Sequence, residues 1–263
     1  SIRNYLSFVS SVFAYALRMG VVKENPCSRI VLPERQESEK KIFTIEETQA
    51  FLDALDGEPL RYVVFFVLAI FGGYRREELL GFEFRDFNFT TNVVTVEHVS
   101  LYDPAHGIFT GPPKTARSHR SLKLPVWIFD MVKALRAEQS MRRMELGDQW
   151  HESGRLFTKL DGSPARPGDF YDWGKELCKR HGLPWYGIHQ FRHLNASLLI
   201  ANHTDVRTVS AALGHSQTST TLNIYSHAFE TAQAEASVGL AAALPVNCLL
   251  YTSDAADDKA RVD

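Results

Sequence analysis

The sequence is poor in cysteine and contains no long apolar run. Its three cysteines, Cys27, Cys178 and Cys248, lie far apart without a CxxC pair, so neither a disulfide framework nor a cysteine zinc site is indicated. The longest apolar stretch, residues 62–71, is about half of the roughly 20 residues that cross a bilayer, and it is typical of a buried helix. The sequence also shows no secretory signal peptide. We therefore expect a reducing cytoplasm and no membrane partner.

An excess of positive charge is lacking as well. The chain has 29 Lys and Arg against 31 Asp and Glu, a formal net charge of −2, whereas nucleic-acid-binding proteins are often basic because phosphate contacts need cations. Overall charge is weak evidence here, since cations that converge on one face suffice. The hydrophobic fraction of 44% and the charged fraction of 23% are typical of a globular protein with a sizeable core.

Both ends of the chain lead to expectations about its origin. Ser1 opens directly into a helical pattern without a start methionine, so we expect a fragment. From Cys248 onward, the run Cys-Leu-Leu-Tyr-Thr-Ser-Asp-Ala-Ala-Asp reads like the translation of a sequencing-library adapter. We therefore expect residues 248–263 to be a non-native tail and exclude them from fold prediction.

Periodicity predicts a mainly α protein with one small antiparallel β-sheet, an α+β fold. A helical pattern fills residues 2–19 and stops at Gly20, and the polar residues 33–42 resemble a linker. Thr44 and Glu47 form a predicted capping box, and Gly214 is a predicted C-terminal cap. Strands are predicted over residues 93–98 and 118–124, with residues 107–113 as a turn-rich connection. Further helices are predicted up to residue 55 and over residues 60–71, 126–146, 169–180, 188–201, 204–213 and 228–244.

Arg75 and Glu78 are candidate site residues at a helix junction. Arg75 follows the helix-ending pair Gly72-Gly73 and opens a new helical stretch, a position from which its planar fork can bind two phosphate oxygens. Glu78 lies three residues on and shares its helix face, where it can orient a neighbouring cation. The plain structural alternative is a surface ion pair of little energetic value.

His189 and Arg192 have the same spacing and share a helix face, whereas Phe191, Leu194 and Leu198 are predicted to point to the core. Such a pair can bind an anion while the histidine moves a proton. The structural alternative is a capped helix start with an exposed histidine.

Three further residues complete the set of candidates. Lys114 lies in a turn-rich segment before a strand, on a predicted hairpin tip, from which it can donate a proton. His215 follows the capping Gly214, so its ring is predicted to lie beyond a helix end. Tyr225 occupies a polar, threonine-rich stretch where a core tyrosine is less expected. The structural alternative for Lys114 is a solvated loop lysine, and the alternative for Tyr225 is a half-buried structural tyrosine.

Taken in sequence order, the motifs that contain these residues resemble those of one known family. The motifs Gly73-Tyr74-Arg75-Arg76, Lys114-Thr115 with Arg120, His189-Gln190-Phe191-Arg192-His193, Leu213-Gly214-His215 and Tyr225-Ser226-His227 are similar to those of the tyrosine recombinase, or phage integrase, family. Integrases of phages and conjugative transposons, which are mobile genetic elements, resemble the chain most. Gly72 stands where relatives often carry Thr or Ser, a minor departure.

The resemblance implies a DNA strand-exchange chemistry with no cofactor and no metal. In it Tyr225 attacks a scissile phosphate, Arg75, Arg192 and His215 bind its non-bridging oxygens, and Lys114 protonates the leaving 5′-oxygen. His189 assists proton transfer at Tyr225, and Glu78 supports the site. The physics agrees, because a phenol of pKa near 10 is a weak nucleophile without help and each oxyanion donor adds roughly 10²–10³ in rate.

The resemblance also implies a domain organisation and partners. Residues 1–32 resemble the end of a helical core-binding domain, residues 33–42 a linker, and residues 43–247 the catalytic domain. The implied partners are double-stranded DNA recombination sites and further copies of the chain, as a homotetramer on DNA. An accessory directionality factor is compatible with the family.

Three other interpretations stay open. A DNA-binding module without catalysis predicts loss of the nucleophile or of one arginine, and both are present. A metal-dependent hydrolase is suggested only by the ten histidines, which show neither HExxH nor paired-carboxylate spacing. A type IB topoisomerase shares the chemistry, but the integrase-like motifs and the N-terminal helix favour a recombinase.

Overall fold

The computed structural model describes residues 2–33, 41–113 and 118–214, together with Leu222 and Tyr225. The chain divides into two compact units, Ser1–Lys40 and Lys41–Asp263. Across the described ranges, no helix is long and apolar enough to cross a membrane.

The first unit contains helix α1, Ile2–Arg18, as the apolar spacing predicted. The chain leaves α1 through Gly20, whose φ of +70° favours glycine. A short 3-10 helix, Pro26–Arg29, follows and is capped by the Asn25 side chain, which accepts a hydrogen bond from the Cys27 amide. The Asn25 amide also donates to Ser10 at 3.1 Å, so this side chain ties the turn back to α1.

The second unit is mainly helical. Thr44 and Glu47 form the predicted capping box at the start of α2. The predictions for residues 126–146, 169–180 and 188–201 are confirmed at both ends. Each helix begins directly after a proline or a glycine, which are typical of helix boundaries. The helices are α2 Ile45–Asp53, α3 Leu60–Gly72, α4 Arg76–Gly81, α5 Val126–Leu146, α6 Asp169–Arg180, α7 Ile188–Ala201 and α8 Val206–Leu213.

The described residues form two small antiparallel sheets rather than the single predicted one. One sheet has the order β1-β2-β5, built from Phe87–Asn88, Val93–Val96 and Arg120–Lys123. The other is a hairpin of β3, Val99–Asp103, and β4, Gly107–Gly111, with Leu101 opposite Phe109.

The prediction of a turn-rich connection over residues 107–113 was therefore wrong for residues 107–111. β4 has no buried residue, so its sequence lacks the apolar alternation that marks a half-buried strand. Its pairing depends instead on the tight turn, where the Asp103 carboxylate accepts hydrogen bonds from the amides of Ala105 and His106.

The core of the second unit is dense in aromatic side chains from α2, α3, α6 and α7. Phe66 of α3 is fully buried and packs edge-to-face on Phe51 and Phe191, with ring centroids 5.1 and 5.9 Å apart. Such pairs add stability beyond their buried area. α3 thus lies at the centre of the unit and provides a rigid support for the chain segment that follows it.

We predict that Phe66→Ala lowers the free energy of unfolding by about 4 kcal/mol, because it removes a fully buried ring and leaves a cavity. Phe71→Ala in the same helix is the matched control. Its ring is 39% exposed, so the loss there should be about 1 kcal/mol. Urea unfolding of both variants measures the difference, and equal losses would contradict the proposed central role of α3.

Candidate active site

Glu78 is a buried carboxylate held between two arginines. Arg75 Nη1 donates to Glu78 Oε1 at 2.7 Å, and the Arg75 amide donates to Oε2 at 2.9 Å. Arg120, on β5, donates from Nη1 and Nη2 to the two oxygens at 3.0 and 2.7 Å. The predicted Arg75–Glu78 pair is therefore confirmed as a contact, and it is a buried network rather than a surface ion pair.

The α3–α4 turn gives this network its geometry. Gly73 adopts a φ of +58°, and a Cβ atom there would lie 2.7 Å from Asn195 Oδ1, so the turn requires glycine. Asn195 donates to the last carbonyls of α3, Ile70 and Phe71, at 2.9 and 3.0 Å. The turn thereby places Arg75 as the N-cap residue of α4.

The same two arginines, joined by Arg192, bind the C-terminal end of α8. Arg120 Nε donates to the Ala212 carbonyl at 2.7 Å, and Arg75 Nη2 donates to the Gly214 carbonyl at 3.0 Å. Arg192 donates to the Leu213 carbonyl and, at 2.8 Å, to that of Gly73. A helix end has unpaired carbonyls and partial negative charge, so it attracts these guanidinium groups.

Arg75, Arg120 and Arg192, hereafter the arginine cluster, have an excess of positive charge. Burial, followed by the charges of Arg75 and Arg120, lowers the pKa of Arg192 to about 9. Burial alone would raise the pKa of Glu78, but hydrogen bonds and charge from Arg120, and then from Arg75, hold it below its ordinary value. Within the part of the chain that the structure describes, Glu78 is the one carboxylate bonded to the cluster. The site is therefore suited to an anion.

Tyr225 lies beside this cluster. Its ring packs in a small apolar group with residues of α7 and α8, and only 4% of the residue is exposed. Burial raises the pKa of its hydroxyl to about 12, while the charge of Arg192 acts in the opposite direction. The hydroxyl oxygen lies 2.7 Å from Nδ1 of His193. The group that packs with Tyr225 comprises Ala196, Ile200, Val209 and Leu213.

His189 occupies a different position from the one its spacing suggested. It is exposed and lines a cavity of about 400 Å³ together with Arg75, Tyr171 and Tyr186. Its ring meets that of His193 edge-on, with centroids 4.8 Å apart. His189 thus approaches the site from the solvent side, whereas Arg192, three residues on, is buried.

The structure brings Arg75, Glu78 and Arg192 together, with Tyr225 close enough to interact electrostatically with Arg192. The predicted roles of Lys114 and His215 concern residues outside the described ranges. The predicted helix over residues 228–244 also lies outside them.

Two site residues, Arg120 and His193, were not among the predicted site residues. Arg120 appeared only as part of a motif, yet it makes the two-oxygen contact with Glu78. The sequence signal for Arg120 was a charged residue within the predicted strand 118–124, in which polar and apolar residues alternate. His193 could have been found by spacing, because it lies four residues after His189 on the same helix face.

A separate polar cluster bears on the metal-dependent alternative. Potential ligand atoms of Asp86, Glu97 and His98 lie within 4.8 Å of one another. His98 Nε2 is 3.5 Å from both Asp86 and Glu83. The cluster shares no residue with the arginine cluster or Tyr225.

Comparison with known proteins agrees with this geometry. Residues 41–232 match the family model described as the phage integrase family. The chain is 30% identical over 244 residues to a XerC-like tyrosine recombinase of Caldanaerobacter subterraneus, covering 86% of this chain and 62% of that protein. It is 25% identical to the ICEBs1 integrase of Bacillus subtilis, covering 89% of this chain and 63% of that protein. The chain therefore spans less than two thirds of these relatives' lengths.

A solved structure shows the same fold. The Tn1549 transposon integrase, in complex with transposon right end DNA, superposes with a TM-score of 0.74 at 23% identity. The match covers 93% of this chain and 79% of the other. The predicted fold class, mainly α with a small antiparallel β component in a tyrosine recombinase catalytic-domain fold, is confirmed, with two sheets in place of the one predicted.

We predict that Glu78→Gln lowers the free energy of unfolding by about 3 kcal/mol, because it leaves buried guanidinium groups without their counter-charge. The folded-state pKa of Glu78 lies below its ordinary value of 4.5. Its contribution is therefore complete above about pH 4.5 and is lost as the pH falls through the lower folded-state value.

Urea unfolding from pH 7 to pH 3 tests this prediction. The difference between the unmodified chain and Glu78→Gln should be largest at neutral pH and should shrink in acid. Glu77→Gln, which removes a half-exposed carboxylate paired with Arg76, is the matched control and should cost less than about 1 kcal/mol. A difference that does not depend on pH would contradict the assignment.

Proposed function

This chain belongs to the phage integrase family, and we propose that it cleaves and rejoins DNA strands as a site-specific tyrosine recombinase. The observation that carries the proposal is the arginine cluster at the end of α8 beside the Tyr225 hydroxyl, with Glu78 as its bonded carboxylate. A site with excess buried cationic charge and one hydroxyl nucleophile suits a phosphodiester, which is a monoanion.

In the proposed reaction, the Tyr225 hydroxyl attacks the scissile phosphorus. A 3′-phosphotyrosine bond forms, and the bond to the 5′-oxygen breaks. Arg75, Arg192 and His215 hold the non-bridging oxygens, where negative charge develops in the transition state. Lys114 gives the leaving 5′-oxygen its proton.

The remaining proposed roles concern support and proton transfer. Glu78 fixes Arg75 through a two-point contact, which limits the loss of side-chain freedom when phosphate binds. His189 assists the movement of the proton to and from Tyr225. Attack by the 5′-hydroxyl of a second DNA strand reverses the first step and completes strand exchange.

No energy source is needed in this scheme. The energy of the phosphodiester bond is conserved in the phosphotyrosine bond, so ATP is not consumed. The arginine cluster can supply the electrostatic stabilisation that metal ions provide in other phosphoryl-transfer sites. We therefore propose that the reaction requires neither metal nor cofactor.

The wider arrangement is proposed on the same basis. Residues 1–32 would form the end of a core-binding domain, residues 33–42 a linker, and residues 43–247 the catalytic domain. Double-stranded recombination sites of a mobile element are the proposed substrates, bound by a homotetramer in the cytoplasm. An accessory directionality factor is a further proposed partner. Because the net charge is −2, binding should depend on local cations.

We predict that Tyr225→Phe abolishes the covalent protein–DNA adduct on a nicked suicide duplex, because it removes only the attacking oxygen. DNA binding should persist, as measured by gel shift on the same duplex. The unmodified chain should form the adduct equally well in EDTA. An undiminished adduct with Tyr225→Phe would identify a different nucleophile, and loss of the adduct in EDTA would favour a metal-dependent reaction.

We also predict that Arg192→Lys slows adduct formation about 10²-fold or more. A lysine ammonium cannot contact the Gly73 and Leu213 carbonyls and also face a phosphate with a planar fork. Arg142→Lys is the matched control, since Arg142 pairs with Glu138 on α5 and should leave the rate unchanged. Single-turnover gel assays provide the rates, and equal rates for the two variants would reject the assignment.

A further inference from the structure

A histidine nitrogen to which the family motif assigned no role lies within hydrogen-bond distance of the proposed nucleophile. His193 Nδ1 lies 2.7 Å from the Tyr225 hydroxyl oxygen, a normal hydrogen-bond distance for this pair. His193 is 7% exposed and Tyr225 is 4% exposed. The contact is therefore shielded from bulk water, and water is a poor competitor for the phenolic proton.

The hydroxyl needs such a partner. Its pKa is raised to about 12 by burial, so at neutral pH it is a protonated phenol and a weak nucleophile. Attack on phosphorus becomes feasible when an adjacent base takes the proton as the new bond forms. Neutral histidine, with an ordinary pKa near 6.5, is the side chain best matched to this task at neutral pH.

His189 is less well placed to act directly. It is exposed, and its ring contacts that of His193 at a centroid distance of 4.8 Å. His193 thus contacts both the ring of His189 and the Tyr225 hydroxyl. A proton that leaves the hydroxyl meets His193 first.

Among the described residues, α3, α7 and α8 carry charged or titratable groups. α7 contributes His189 and Arg192, and the charge of Arg192 acts on the Tyr225 hydroxyl. α8 carries Arg207, which is exposed, and α3 carries Arg61 and Tyr62 in its first turn. The charge of Arg192 favours the anionic form of the phenol.

We propose that His193 is a catalytic residue that takes the hydroxyl proton of Tyr225 during DNA cleavage, with His189 acting behind it. This inference rests on the proposed function. As the tyrosine oxygen bonds to phosphorus, its O–H bond breaks and an N–H bond forms at His193 Nδ1. The bond from phosphorus to the 5′-oxygen breaks, and that oxygen takes a proton from the general acid, Lys114. In the reverse step His193 returns the proton to the phenol.

The test compares His193→Asn with His189→Asn in the 263-residue chain. Asparagine places an amide atom near the position of Nδ1, so it keeps a hydrogen bond to the hydroxyl but cannot accept its proton at neutral pH. We expect His193→Asn to form the covalent adduct at least about 10²-fold more slowly at pH 7. His189→Asn should be slowed less. His181→Asn, at an exposed position after α6, should match the unmodified chain.

A pH profile separates proton transfer from positioning. The adduct-formation rate of the unmodified chain should rise with pH through an inflection, because only a deprotonated histidine can accept the phenolic proton. His189→Asn should keep this inflection. His193→Asn should lose it, and its rate should instead rise with hydroxide concentration at higher pH.

A duplex with sulfur in place of the leaving 5′-oxygen gives a second readout. Thiolate is a far better leaving group, since a thiol has a pKa near 8.5, so a variant that lacks the general acid should regain activity on it. His193→Asn should not regain activity, because deprotonation of Tyr225 is still impaired. Thermal unfolding of each variant shows whether a lost rate reflects lost folding.

Two outcomes would overturn the inference. An unmodified rate for His193→Asn would show that His193 only positions the hydroxyl, and recovery on the sulfur substrate would assign it to the leaving-group side. In both, the unmodified chain still forms the adduct and the proposed function stands. If the unmodified chain forms no adduct through Tyr225, the proposed function itself fails.

Discussion

The structure of the site depends on how three guanidinium groups reach the end of one short helix. The last carbonyls of α8 accept hydrogen bonds from Arg75, Arg120 and Arg192, and Glu78 holds two of these arginines from the other side. Each arginine comes from a different part of the chain, so the α3–α4 turn, α7 and β5 must all pack correctly before the cluster exists. The carbonyls and the carboxylate together offset the mutual repulsion of the cations.

This arrangement also explains the state of the proposed nucleophile. Tyr225 packs on α7 and α8 next to Arg192, in a region with little water. Burial raises the pKa of its hydroxyl, while the positive charge of Arg192 favours the phenolate. The same low-water environment strengthens the attraction of the arginine cluster for a phosphate. Dehydration of this positively charged pocket therefore favours phosphate binding but opposes ionisation of the phenol, and the charge of Arg192 acts against that second effect.

Particular residues show how far sequence reasoning extended. The capping box of Thr44 and Glu47 and the helices α5 to α7 followed from periodicity and helix boundaries. The β3–β4 hairpin did not, because β4 has no buried side chain and therefore no alternating pattern. The partnership of Arg120 with Glu78, 42 residues apart, has no local signature. The motif residues Lys114 and His215 stay predictions.

The sequence by itself determined the types of chemical group and their local order: the Arg75–Glu78 spacing, the helix that carries His189 to His193, and Gly73 at its turn. Those features depend on neighbours within a few residues, which helical geometry relates directly. Only the tertiary structure decided that Arg192 is buried while His189 is exposed, and that His193 rather than His189 contacts the Tyr225 hydroxyl. The burial and the hydrogen-bond partners of these side chains are set by the packing of segments that lie far apart in the chain, and local sequence spacing does not encode that packing.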